Sequence, residues 1–556
     1  MSKSEGEKKK RARAENGQPK ASRALAKLTT SLAPVAASVG SVLPGTERLV
    51  VQVELGQPMG ALARQLGLLL REENIYRTPQ NEVVTLDEET GKTELMVATA
   101  FVTWTENFCL LGRTKADGEF KRASLLPGAA AVVLSSGDFK KQLRLLRGVS
   151  SVRVPAWANA EKTTVRLLPP GYDGASQLFV LDGVPIQEDL GEEKGLEWLQ
   201  ETLREFPWAD TEGPLGLAGS RAFAAHLAHC LAHFGRLLTA GGNRPLFVLL
   251  ANQAGSGKTL LAKMAIAATY GAASNTPWAK EETEQAKALL ALCVEGAPYI
   301  FFDNLRGHLS SGELEGFLTS ATRTGRILGK TGNVTAENVA IMSLTGNGLT
   351  LNADLARRAV LIELFAVRDA AARTFADLLT ETVIVSREFR SAMLSALWSL
   401  IKLWSDCGCP STEKRSPPGR VLPSFEEFCR IWGGVLGQAG LADPFERGQA
   451  EELDEVSAGW RKLLGELAGE LAPKEERSFT SETILARAEE LGLTPLLIGD
   501  AAKPSIVLGK RLKPWRGREL QDTRGRWFVF DKRGRKGAGN NYGVRILPEG
   551  GAEAAA

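Results

Sequence analysis

Apolar and polar positions divide the 556-residue chain into stretches of different period. From residue 47 to 210, short apolar runs of strand length (LVVQVEL, EVVTLD, AAVVLSS, TTVRLLP, SQLFVLDG) are separated by turn residues, and MGALARQLGLLLREE repeats its apolar positions at helical spacing. That pattern predicts an N-terminal mixed α/β accessory region. Residues 211–365 alternate helix-period stretches with short, continuously apolar strands, as in a parallel sheet covered on both faces. Residues 366–475 contain EFRSAMLSALWSLIKLWSD, FEEFCRIWGGVLGQAG and EVSAGWRKLLGELAGEL, which predict a helical module. Residues 476–547 open with a capped helix at TSETILARAEELG and close in strands, a small α+β domain. Residues 1–46 hold no period and end at Pro44-Gly45, so a disordered basic leader is expected, with 548–556 as a tail.

Charge changes this picture at the two ends. Residues 1–30 hold nine Lys/Arg against three Glu, and residues 503–556 hold thirteen against five acids, which leaves −11 for the rest of a chain whose total is +3. An acidic body with basic ends points to an anionic polymer as partner, met by those ends; for the leader, a merely solvated tail fits as well. The six cysteines are too few for a disulfide framework in so long a chain, and Cys407-Gly-Cys409 lacks the second pair that a zinc site needs. No apolar run approaches the roughly 18 residues of a spanning helix, and the first twenty residues have no apolar core. A soluble, cytoplasmic chain without a membrane partner is therefore the expectation.

The chemistry concentrates in 245–365. LFVLLANQAGSGKTLLAKMAIAATYG places an apolar strand, a glycine-rich turn and a helix in succession, the setting of a P-loop. Gly255, Ser256 and Gly257 would present backbone N–H groups to phosphates at the helix N-terminus, Lys258 would reach the β and γ oxygens, and Thr259 would hold Mg²⁺. Asn252 takes the place of the usual first glycine, and Asn tolerates left-handed backbone better than most residues. Downstream, PYIFFDN is an apolar strand ending in Asp303, the expected second metal-side residue, followed by Asn304 where a Glu commonly activates water. An amide cannot take a proton at neutral pH, so either hydrolysis is impaired or another carboxylate serves; Glu282 is the candidate, with a solvated helix-start Glu as the plainer reading. A third strand, VAIMSLTGN, ends in Asn347, placed as a water or γ-phosphate sensor, and DLARR puts Arg357 and Arg358 before the strand AVLIEL. Either guanidinium could stabilise phosphoryl charge in a neighbouring subunit or simply form a helix-end ion pair.

NQAGSGKT, PYIFFDN, SLTGN and DLARR, in that order and spacing, resemble the AAA+ ATPase core of helicases near superfamily 3. More narrowly they look like the ATP-binding helicases of phages, plasmids and integrated elements that often accompany a primase. The resemblance covers about 245–445. It implies an AAA+ P-loop core, ATP and Mg²⁺ at the subunit interfaces of a homo-oligomeric, hexameric ring, DNA in the channel and possible association with a primase. The activity implied is ATP-dependent helicase or translocase work in replication of a mobile genetic element. A replication initiator or loader without processive unwinding, and a winged-helix DNA-binding regulator with a non-hydrolysing site, are the competing readings.

Three further features remain. RILGKTGNVT, between Asp303 and Asn347, predicts two short strands around a turn carrying Lys330, which in similar motors touches DNA in the channel and otherwise is an exposed turn lysine. In the C-terminal domain Leu508, Leu512 and Trp515 form an apolar stripe, Lys510, Arg511 and Lys513 lie off it, and Lys532, Arg533, Arg535 and Lys536 sit in what reads as a long basic loop between antiparallel strands. Helices followed by such a hairpin look like a winged helix whose phosphate contacts would position DNA. Last, His226, His229, Cys230 and His233 share one helix face, as metal ligands or as the edge of a packed face.

Overall fold

The computed structural model describes residues 41–42, 49–211, 214–251, 255–326, 332–366, 379–416, 418–446, 455–472, 475–499, 503–512, 515–517, 519–521, 526–536 and 539–547. The chain forms two compact units, one of residues up to 156 with 166–186, the other of 157–165 with everything from 187 on. The first unit is the expected mixed α/β region. Leu49–Glu54 and Cys109–Thr114 pair in parallel at the centre of one sheet, and Ile75–Arg77 and Val83–Leu86 pair antiparallel in another. Helix Met59–Leu70 buries Leu62, Leu66 and Leu70 in its core. AAVVLSS, expected as a strand, lies in a helix, Pro127–Ser135. Proline at the first turn and an alanine-rich run favour helix, and Ala130 and Val133, three residues apart, are the ones buried.

The second unit begins earlier than position 211. Helix α1 (Glu192–Leu203) packs on a later helix, α7 (Arg387–Asp406), through Gly195 against Ser399 and Trp198 against Phe389. After α2 (Arg221–Phe234) the core alternates as β1 (Leu246–Ala251), α3 (Lys258–Tyr270), α4 (Glu282–Glu295), β2 (Tyr299–Leu309), α5 (Gly312–Leu318), β3 (Thr322–Arg326), β4 (Asn333–Glu337), β5 (Ile341–Leu351), α6 (Ala353–Ala356) and β6 (Ala359–Leu364). Among the described residues the main sheet has four strands, all parallel, in the order β2-β5-β1-β6. The chain leaves β1 for one side of the sheet and later returns to its other side, which makes the C-terminal end of β1 a topological switch point, the place where open α/β sheets bind ligands. β3 and β4 form the separate antiparallel hairpin expected from the sequence.

Helix α8 (Glu426–Gln438) completes the helical module with α7. The third helix expected there, α9 (Glu455–Gly469), instead belongs to the C-terminal domain. Its Trp460, Leu463, Leu464 and Leu467 share one core with Phe479, Ile484, Phe528, Phe530 and Tyr542. Helical period shows that a face is apolar but not which partner covers it. The rest of that domain is β7 (Glu476–Thr480), α10 (Ser481–Glu490), α11 (Thr494–Leu497), α12 (Pro504–Arg511), β8 (Glu519–Gln521), β9 (Trp527–Lys536) and β10 (Gly539–Ile546), with an antiparallel sheet in the order β7-β10-β9-β8. Leu508, Leu512 and Trp515 are buried as the stripe predicts. The long basic loop is a correction: β9 runs on through Lys536 and pairs with β10 from Gly539, with a register shift at 532–534, so its basic residues lie on the arms of a hairpin. No described helix is long and apolar enough to cross a membrane, and all six cysteines are free thiols.

The histidines of α2 pack as a core face. His226, His229 and His233 are fully buried; His229 stacks on Phe247 of β1, and its Nε2 lies 3.2 Å from that of His233. His226 Nε2 and Cys230 Sγ form a separate pair at 3.6 Å. Among the described residues no three His, Cys, Asp or Glu side chains converge as a metal shell. Burial holds His229 well below its ordinary pKa and pulls His226 and His233 down to about 3. The unfolded chain, with ordinary histidines near 6.5, therefore binds more protons between about pH 3 and 6.5. This contribution to stability is whole above pH 6.5 and is lost as pH falls toward 3. Denaturant titrations at pH 7.5 and 5 should show the loss, and His226→Phe should reduce the slope by up to about 1.4 kcal/mol per pH unit. An unchanged slope would place the acid sensitivity elsewhere.

Candidate nucleotide site

The site is built at the C-terminal end of β1, beside the middles of β2 and β5. β1 is apolar and buried through Leu249, and the turn after it is left-handed at Gly255 and Gly257, with φ of 75° and 97°. Glycine takes such angles without the steric cost a Cβ brings. At Gly257 the need is double, because a Cβ would stand 2.7 Å from the ring of Phe206. Phe206 is held there by the segment running beside β6, where the Phe365 N–H donates to the Pro207 carbonyl at 2.6 Å and the Ala209 N–H to Glu363 at 3.1 Å. Ser256 is buried, and Gly257 is the N-cap of α3, so the first orphan N–H groups of a 13-residue helix face the turn.

Lys258 opens α3 and is only 6% exposed. Burial draws its ammonium below the ordinary lysine value, and the nearby Asp303 carboxylate works against that shift. A buried cation beside helix N-terminal N–H groups makes an anion-receiving pocket. Thr259 Oγ1 donates to Asp303 Oδ1 at 2.8 Å, joining the first turn of α3 to the middle of β2 across 44 residues of sequence. These residues fit a magnesium triphosphate: two left-handed glycines leave room for close backbone approach, one ammonium would meet phosphate, and a hydroxyl beside a carboxylate would supply the oxygen donors Mg²⁺ prefers.

Asp303 and Asn304 do not end their strand, as the sequence implied. β2 and β5 continue side by side to Leu309 and Leu351, anchored by buried Leu309, Leu349 and Leu351. Between the pairs Phe302/Leu344 and Leu305/Gly346, β2 carries one extra residue; between Leu305/Gly346 and Gly307/Leu349, β5 carries one. Two compensating bulges thus fall at Asp303–Asn304 and at Asn347–Gly348. Bulges re-aim side chains and are enriched next to active sites. Asn304 is left-handed, φ 59°, and on its other side β5 places Asn347 opposite Ala251 of β1.

The remaining candidates separate. Glu282 is spoken for as a cap: its Oε1 accepts the Gly312 N–H at 3.1 Å, at the start of α5. Arg357 is exposed and forms a 2.6 Å ion pair with Asp354, whereas Arg358 is half-buried and donates to the Glu315 carbonyl of α5 at 2.6 Å. Lys510 and Lys532 are exposed, Arg511 donates to the Leu497 carbonyl at 2.7 Å, and Arg533 pairs with Glu476. Arg535 and Lys536 lie at the distal end of β9. Asn252, Lys330 and Lys513 fall outside the described residues. Sequence reasoning missed Phe206 and Thr345. The second had a faint signal, a polar residue within an apolar strand, two positions before Asn347 and so on its side of an ideal pleat.

No protein-family model matches the chain, and no curated protein does. Among solved structures, the A-form apo structure of the C-terminal region of NrS-1 aligns with 87% of this chain and all of its own, at 8% identity and a TM-score of 0.36. At that score the likeness carries no argument, and the functional reading rests on the residues themselves.

Proposed function

We propose that the chain is an ATP-driven DNA motor of the replicative helicase type, hydrolysing ATP with Mg²⁺ at a site shared between neighbouring copies. The observation that carries this is the Thr259–Asp303 bond at the mouth of a left-handed glycine turn that opens onto α3. When bound, Mg²⁺ supplies charge neutralisation on the phosphates. Lys258 and the α3 N–H groups bind the anion, Asp303 orients Thr259, and Asn347 is the residue assigned to hold the attacking water. Support for DNA as partner comes from the C-terminal domain. Its order of helix, strand, three helices and three strands, the last two forming a basic hairpin, resembles that of a winged helix, with Lys510 on α12 and Lys532 on the hairpin both exposed.

One observation favours a second reading, an ATP-switched initiator or loader. Asn304 offers no general base, and Glu282, the nearest substitute the sequence offered, is engaged as a helix cap. Strand displacement decides between them. The motor reading expects ATP-dependent unwinding of a forked duplex by the full chain; ATP hydrolysis and DNA binding without displacement would favour the loader.

A further inference from the structure

Thr345 is 1% exposed in a strand whose neighbours Ile341, Met342 and Leu344 are buried and apolar. A buried hydroxyl costs about 1–3 kcal/mol unless it is bonded. Thr345 satisfies its hydroxyl twice, and both partners belong to the candidate site. Its Oγ1 donates to Asp303 Oδ1 at 2.6 Å and accepts the backbone N–H of Asn304 at 2.8 Å. Asn304 carries the left-handed angle that costs an ordinary residue about 1–2 kcal/mol. One hydroxyl therefore spans the bulge, tying a carboxylate and the left-handed residue after it to the adjacent strand.

We infer that Thr345 is a positioning residue of the nucleotide site, setting the orientation of the Asp303 carboxylate before magnesium arrives. Both hydroxyls, from Thr259 and Thr345, land on Oδ1. That leaves Oδ2 as the acceptor for the cation or its water. Without Thr345, the Asn304 N–H loses this bond and Asp303 loses one of the two hydroxyls that fix Oδ1. The inference rests on the nucleotide-site reading and adds to it a residue on β5 that neither touches phosphate nor lies in the glycine turn.

The test is fluorescence titration of the full chain with a mant-labelled ATP, once with Mg²⁺ and once with EDTA. Wild type should bind more tightly with Mg²⁺. Thr345→Val, which keeps the shape and removes both bonds, should lose at least tenfold of that magnesium-dependent gain while its metal-free affinity stays within twofold. A merely structural role would move both affinities together. Thr345→Ser, which keeps the hydroxyl, should retain the gain. A folded Val variant with the full gain overturns the inference, and so does a folded Ser variant that has lost it, the second being readable even if the Val protein fails to fold. Should wild type bind no nucleotide, or Lys258→Ala bind as well as wild type, the nucleotide-site reading falls and takes this inference with it. A Lys258→Ala defect beside an unaffected Val variant removes Thr345 alone.

Discussion

Lys258→Ala should cut ATP turnover by at least about 10²–10³-fold while leaving the protein folded. The lysine is the first residue of α3, buried to 6% exposure, and its ammonium lies in the field of Asp303. In the absence of phosphate that arrangement brings little stability, because a buried ammonium pays desolvation. Alanine is the best helix former, so α3 should persist and the thermal midpoint should change little. What disappears is the lysine that follows the glycine turn, the group proposed to bind the transferring phosphate. Steady-state phosphate release by wild type and variant, with circular dichroism as a folding control, checks it. Unchanged turnover would remove the glycine-turn assignment.

The second large effect concerns the arginines after α6. Both were candidates for a guanidinium supplied to a neighbouring copy, and the structure distinguishes them. Arg358 is tied to its own chain through the Glu315 carbonyl, while Arg357 is exposed with a same-helix Asp354 as its visible anion. Surface ion pairs of that kind are worth about 0–1 kcal/mol, so the Asp354 pair by itself is a weak tether for Arg357. Arg357→Ala should therefore lower turnover by about 10³-fold with nucleotide affinity intact. Arg358→Ala should act mainly on stability, by about 1–3 kcal/mol, since it strips a partner from a half-buried carbonyl. Mixing Arg357→Ala with Asp303→Ala subunits should restore part of the activity, because some interfaces then combine an intact arginine with an intact carboxylate. Absence of rescue, or an Arg358 defect confined to catalysis, would contradict this division.

Much of this architecture could be read from the chain because the signals were local. The strand-turn-helix around Gly255 and Gly257, the β3–β4 hairpin and the stripe of Leu508, Leu512 and Trp515 each follow from period and turn chemistry within about a dozen residues. What escaped depends on partners distant in sequence. Helix α9 has an apolar face that would suit either neighbouring module, and only packing assigns it to Phe528, Phe530 and Tyr542. The same holds for Glu282, whose place at a helix start gave no hint that Gly312 would claim it. In the site itself, residue types were legible and geometry was not. Asp303 and Asn347 could be named, but nothing local announces that both strands run past them, or that paired bulges fall beside them. Thr345 looked like one more strand residue until its hydroxyl was found between Asp303 and Asn304.

The central claim is that binding and splitting of a magnesium triphosphate at Lys258, Thr259 and Asp303 is coupled to DNA. The most direct measurement is the rate of ATP hydrolysis by the purified full chain across a titration of single-stranded DNA, with Mg²⁺ present and then chelated. The account predicts turnover that requires Mg²⁺ and rises with added DNA. Absence of hydrolysis with or without DNA would contradict it, as would hydrolysis that DNA and chelation leave unchanged.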